Sequence, residues 1–250
     1  MAERPTVAAG VLDKGGLIGT MGTALNRTIA LPFILMLLVP CAAFSQAADL
    51  VSAEKYFSGI SASYQKVKDY EAAVTITQGK TISRGKLSYK SPMYLRIDFD
   101  DPPKQVLNFD GEKLTFYSPA NEVILEQKYK KKSPSQVEAM ATSQGLAIMQ
   151  RNYTIAYLSG PAPVPLEDGS REMVVKLKLT AHGTTNFSQL IVSVKDSLIR
   201  RVEGTQSSGD KITMDFANIR TNQGVPDSRF EYDAPPYANV IQDWLFDPEG

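Results

Sequence analysis

A two-residue hydrophobic period, sustained over most of the chain beyond residue 70, constrains the fold more than any other feature. The stretch GKLSYKSPMYLRIDF, residues 85–99, displays it. Leu87 and Tyr89 alternate with Ser88 and Lys90 before Pro92, and after it Met93, Leu95, Ile97 and Phe99 alternate with Tyr94, Arg96 and Asp98. Successive strand side chains point to opposite faces, so each half reads as a strand with one dry and one wet face. Turn signals at Gln78-Gly79, Ser91-Pro92, Asp101-Pro102-Pro103 and Asp110-Gly111 divide the run, and Asp110-Gly111 between VLNF and KLTFY is a strong hairpin signal. Beyond a proline-rich loop over 160–170, strands resume at 172–180, 187–195, 197–203 and 211–219. Met173, Val175, Leu177 and Leu179 share a face there, as do Leu190, Val192 and Val194, and then Ile212, Met214 and Phe216.

Two segments depart from that period. Over 48–70, Leu50, Ala53, Phe57, Ile60, Tyr64 and Val67 recur at intervals of three and four, one apolar stripe along a helix. Ser133 and Pro134 fit a second helix start, with Val137, Met140, Ala141, Gln144, Ile148 and Met149 outlining a face. The expected fold is mainly β in the α+β sense, with about ten or eleven short antiparallel strands and two helices. A meandering sheet that wide must curl to limit its edges and bury its apolar face. An unclosed antiparallel β-barrel with a helical lid is the economical solution, and it is wide enough to hold an apolar cavity.

The first 48 residues read differently. An apolar run over 29–44 follows Arg27 and leads into Ala42, Ala43, Ser45, Ala47 and Ala48, the order of a secretory signal peptide, with Met21 as an alternative start. Its prolines at 32 and 40 and its length fall short of the roughly 20 apolar residues that a membrane-spanning helix needs. Cleavage after Ser45, Ala47 or Ala48 removes Cys41, the only cysteine, and Pro40 before it argues against lipidation. The expected product is an exported, cysteine-free single domain over 49–250 with 24 basic and 25 acidic residues. That balance gives no footing for nucleic acid, and the longest basic run, 130–132, reads as a solvated loop.

Chemistry finds little support. His182 stands in a polar turn without a second histidine or a cysteine, so no metal site is expected. Asp98, Asp100 and Asp101 form the tightest acidic cluster, but parity places Asp98 on the wet face and the run ends in a proline turn. They are read as a solvated strand end. Nucleophile elbow, phosphate loop and dinucleotide fingerprint are all missing from the sequence, and no cofactor or enzymatic activity is expected.

Between Gly85 and Pro119 a series of small motifs stands in order. It comprises Gly85-x-Leu87, Pro92, Leu95-Arg96-Ile97, Phe99, Pro102-x-x-Gln105, Asp110-Gly111 and Tyr117-x-Pro119. Over these residues the chain resembles the LolA family, periplasmic carriers of outer-membrane lipoproteins, although Leu95-Arg96-Ile97 stands where that family usually shows an aromatic residue, Arg and Trp. An amphipathic helix on one side and Phe230-x-Tyr232-x-x-Pro235-Pro236 on the other extend the likeness.

The resemblance implies a half-barrel whose apolar interior shields lipoprotein acyl chains in the periplasm. Its partners would be acylated lipoproteins, an inner-membrane lipoprotein-releasing transporter, and an outer-membrane receptor or the membrane itself as acceptor, with the carrier monomeric. Physical chemistry asks for such a device: at about 0.8 kcal/mol per CH2, holding some fifteen carbons in water costs on the order of 12 kcal/mol. Parity puts Leu87, Tyr89, Leu95, Ile97 and Phe99 on the concave face, continued by Leu107, Phe109, Leu114 and Phe116. Met93, Met140, Met149 and Met214 would suit an adaptable wall. One departure matters. Ser91 stands where the family commonly has an arginine associated with holding the lid closed, and one hydroxyl cannot replace five guanidinium donors. A periplasmic lipid sensor on the same half-barrel, and a hydrolase using the three aspartates, are the rival readings.

Overall fold

A computed structural model describes residues 51–128, 141–183 and 185–243; the leader, Cys41, the lysine run and the helix start at Ser133 and Pro134, with Val137 and Met140, lie outside them. The first helix, α1 (Ala53–Gln65), is shorter than its apolar stripe. Ser52 caps it by accepting from the Lys55 amide, and the chain leaves the helix before Val67, which still packs into the core. Six strands follow: β1 (Asp69–Gln78), β2 (Thr81–Lys90), β3 (Tyr94–Asp101), β4 (Val106–Phe109), β5 (Lys113–Ser118) and β6 (Val123–Lys128). The second helix, α2 (Ser143–Asn152), starts from a Thr142 cap that accepts from the Gly145 amide, and runs directly into β7 (Tyr153–Tyr157). Then come β8 (Val164–Pro165), β9 (Met173–Ala181), β10 (Phe187–Lys195), β11 (Leu198–Gln206), β12 (Lys211–Thr221) and β13 (Asn239–Gln242).

The strands join in one sheet in the order β13-β6-β5-β4-β3-β2-β1-β12-β11-β10-β9-β7, with β8 paired to β9. It is unclosed, ending at β13 and β7. The described residues thus hold 13 strands rather than ten or eleven. Two of the additions carry no alternation to read: β8 is two residues inside the proline-rich loop, and β13 is exposed along its whole length. The barrel is also not wholly antiparallel, because β13 lies parallel to β6.

Local chemistry fixes the meander. Gly111 turns the β4–β5 hairpin at φ +93° while the Asp110 carboxylate accepts from the Glu112 and Lys113 amides at 3.0 and 2.7 Å. At Gly85 the β2–β3 register shifts, and the strands approach so closely that a Cβ there would lie 2.3 Å from the Asp98 carbonyl oxygen. The concave face of the sheet and the inner faces of both helices form one apolar core, with Phe57, Ile97, Leu146, Met149, Leu177, Leu179, Val192 and Ile199 among its fully buried residues.

Candidate functional site

Register explains why one face collects the apolar residues of six strands. Across the sheet, Ala72, Leu87, Ile97, Leu107, Phe116 and Leu125 stand opposite one another in a row. The adjoining row runs Tyr70, Tyr89, Leu95, Phe109 and Leu114. Phe99 lies on the same face, one strand step beyond Ile97. All nine residues expected on the concave face therefore share it, and Tyr70, Ala72 and Leu125 extend it. Tyr70 escapes a sequence reading because the helical stripe runs straight into it, although it is the second residue of β1.

Coverage of this face is graded. Leu87, Tyr89, Leu95, Ile97, Phe99 and Phe109 are all buried, between 0% and 7% exposed. Leu107, Leu114, Phe116 and Leu125, toward the β5–β6 side, are only partly buried. The two helices do the covering: Phe57, Ile60 and Tyr64 of α1 and Leu146 and Met149 of α2 belong to the same core. Met214 is buried with them, whereas Met93 is 39% exposed.

The lid is tied down by phenols. Tyr89 reaches the first turn of α2, its hydroxyl 3.4 Å from Ser143 Oγ and 3.3 Å from Gln144 Oε1, with the Pro92 carbonyl at 3.3 Å. Ser91 is exposed, and its backbone amide donates to the Lys68 carbonyl at 2.7 Å. Tyr64 of α1 accepts from the Ile199 amide at 3.0 Å, and burial pushes its pKa up to about 12. Gln150 joins the helices by donating to Ser58 Oγ at 2.6 Å. Tyr157 on β7 donates to the Val51 carbonyl at 2.9 Å, just before α1.

The opposite face is not wet where parity expects it to be. Residues 225–238 cross it as a strap from β2 to β6, and β13 then joins the sheet edge beside β6. Lys90 donates to the Val225 carbonyl and pairs with Asp227; Arg229 bonds Ser88 Oγ at 3.1 Å and pairs with Asp98; Asn108 donates to the Phe230 carbonyl at 2.9 Å. Arg96 grips Asp98, donates to the Arg229 and Glu231 carbonyls, and lies 5.3 Å from the centre of the Tyr232 ring. Phe230 packs against Tyr94, their ring centres 5.5 Å apart, and the Tyr117 and Tyr237 hydroxyls meet at 3.2 Å.

Asp98 is thus not a solvated strand end. Burial alone would raise its carboxyl, but hydrogen bonds and charge from Arg96 and Arg229 outweigh that and hold its pKa below the ordinary 3.8. Ser88, expected on a wet face, is buried beneath the strap. Asp100 and Asp101 do remain exposed, with Asp101 paired to Arg84. His182 sits beside Thr154, Nε2 to Oγ1 at 3.2 Å. Among the described residues no group of three or more His, Cys, Asp and Glu is placed to hold a metal.

Residues 57–233 match the family model of the outer membrane lipoprotein carrier protein LolA. The outer-membrane lipoprotein carrier protein of Pseudomonas putida is 29% identical over 162 residues, covering 64% of this chain and 72% of that one. Its counterpart from Pseudomonas paraeruginosa is 26% identical over 159 residues, 64% and 71% of the two chains. Among solved structures, an uncharacterized conserved protein from Thermus thermophilus aligns with a TM-score of 0.47 and 11% identity, over 75% of this chain and 98% of that one. With the family's motifs assembled in one half-barrel and the family model spanning most of the chain, this protein belongs to the LolA family of outer membrane lipoprotein carrier proteins.

Proposed function

We propose that this chain, exported by residues 1–48 as a cleaved leader, is a periplasmic carrier that takes lipoprotein acyl chains onto its concave face and ferries them from the inner to the outer membrane. Its donor is an inner-membrane lipoprotein-releasing transporter, and its acceptor is an outer-membrane receptor or the membrane itself. It works as a monomer, without cofactor or catalysis.

The graded burial of one apolar face carries this reading. Leu107, Leu114, Phe116 and Leu125 offer partly uncovered surface continuous with the fully covered Leu87, Leu95, Ile97 and Phe109. An acyl chain laid on this face gains burial as α1 and α2 yield, so the helices act as occupants of the site when lipid is absent. Tyr89 serves as the lid latch in place of the short Ser91, because its hydroxyl spans from β2 to Ser143 and Gln144. Names of relatives that carry outer-membrane lipoproteins support the cargo class.

Native mass spectrometry of the protein purified from a periplasm, followed by extraction and identification of what it holds, tests the reading. Acylated lipoprotein is expected on the wild type and should be lost from a Leu107→Asp/Phe116→Asp double variant. Phospholipid or glycolipid alone would favour a lipid transporter or sensor on this fold. An empty wild-type protein would overturn acyl binding.

A further inference from the structure

Tyr70 lies on the covered face near the start of β1, with nothing to bond among the described residues. It is buried, its ring centre 5.2 Å from that of Tyr89, and its hydroxyl has no hydrogen-bond partner among the described residues. Burial, with the phenols of Tyr64 and Tyr89 nearby, pushes its pKa well above the ordinary 10.0. The proton therefore stays on the oxygen as a donor. Buried polar groups in folded proteins nearly always find partners, so an orphaned hydroxyl beneath a movable lid calls for a reason. Phenylalanine would fill the same space without the cost of an unmade bond.

We infer that the Tyr70 hydroxyl, joined by Tyr89 once its bonds to α2 part, donates to the ester or amide carbonyl that links acyl chains to the bound lipid's head. This rests on the carrier reading above and names the part of the ligand that reading leaves open. A neutral carbonyl fits better than a free carboxylate. The residues of the surrounding core cluster are uncharged, and a buried anion without a cation is far costlier than a buried dipole. The position also fits: Tyr70 ends the row whose other members are Tyr89, Leu95, Phe109 and Leu114, so chains lying along that row bring their linkage to the phenols.

The test crosses a protein change with a ligand change. Wild type and Tyr70→Phe are titrated with a tripalmitoyl lipopeptide, with its analogue in which both glyceryl esters are ethers, and with the same ester and ether pair of phosphatidylethanolamine. Wild type should bind esters about tenfold more tightly than ethers, and Tyr70→Phe should bind esters about tenfold more weakly while leaving ether affinity unchanged. Ester discrimination confined to the lipopeptide marks lipoprotein as the source, and confined to phosphatidylethanolamine it marks phospholipid. Tyr70→Phe should also raise the free protein's thermal midpoint. Equal affinity for ester and ether in wild type would overturn the inference while the carrier stands. A lowered midpoint, showing that the hydroxyl already has a partner, would overturn it too. Failure of wild type to bind any of the four lipids removes the carrier reading and this inference with it.

Discussion

At position 85 even a methyl group is excluded. A Cβ would stand 2.3 Å from the Asp98 carbonyl oxygen and 2.8 Å from Phe99 Cα, both backbone atoms that cannot rotate away. Strands β2 and β3 would have to part, and they carry Leu87 and Ile97 into the core. Gly85→Ala should therefore cost roughly 2 kcal/mol, seen in urea as a lower midpoint with an unchanged slope; a midpoint equal to wild type would show that the strands have room. Single residues were legible where the pleat alone decides: parity placed Leu87, Tyr89, Leu95, Ile97, Phe99, Leu107, Phe109, Leu114 and Phe116 on one face because i and i+2 must agree. It failed for Ser88 and Asp98. Alternation tells which residues share a face but not what lies across it, and their partner Arg229 is more than 130 residues away in sequence.

At the scale of elements, the strap beyond residue 225 binds the sheet from behind, on the face opposite the two helices. Arg96 is its main rivet, with the Asp98 carboxylate, two strap carbonyls and the Tyr232 ring around one guanidinium. Lysine cannot make that planar, forked set of contacts, so Arg96→Lys as well as Arg96→Ala should loosen residues 225–243, read as faster proteolysis there and a loss of about 1–3 kcal/mol after allowing for partial exposure. Acid should do the same. Asp98 has a folded pKa below the ordinary 3.8, so its contribution is fully present above that value and disappears as pH falls through the lowered one. Asp98→Asn should be less stable at neutral pH and show a shallower loss below pH 3.8; an unchanged acid profile would remove Asp98 as its cause. The motif residues Arg96, Phe230 and Tyr232 were visible in sequence, yet their meeting was not, since the strap has no periodicity and β13 is exposed throughout. Two helices were legible from their stripes, but only Gln144, Ile148 and Met149 of the second stripe fall in α2, whose wholly buried Leu146 lies off it, and α1 stops short of its stripe because Val67 and Tyr70 reach the same core from outside it.

For the molecule as a whole, the proposed carrier role makes lid and cargo compete for one apolar surface. Leu146 and Met149 of α2 and Phe57 of α1 are wholly buried on the face that acyl chains would occupy, so every gain in closed-state packing reduces the binding-competent fraction. Apparent affinity is intrinsic affinity scaled by that fraction. A carrier that must accept cargo and later surrender it benefits from such a competitor, because the returning helices help to displace the lipid. Leu146→Ala separates packing from function: truncating a buried leucine costs about 2–5 kcal/mol, a loss borne by the closed state, where the side chain is packed. The variant should melt earlier, exchange the amide hydrogens of α2 faster, and bind a tripalmitoyl lipopeptide more tightly, by about tenfold for each 1.4 kcal/mol until the open state predominates. Stability and affinity moving in opposite directions is the signature of a shared surface. If Leu146→Ala instead bound more weakly in step with its lower stability, Leu146 would belong to the cargo's wall rather than to its competitor, and acyl chains would enter beneath a lid that stays in place.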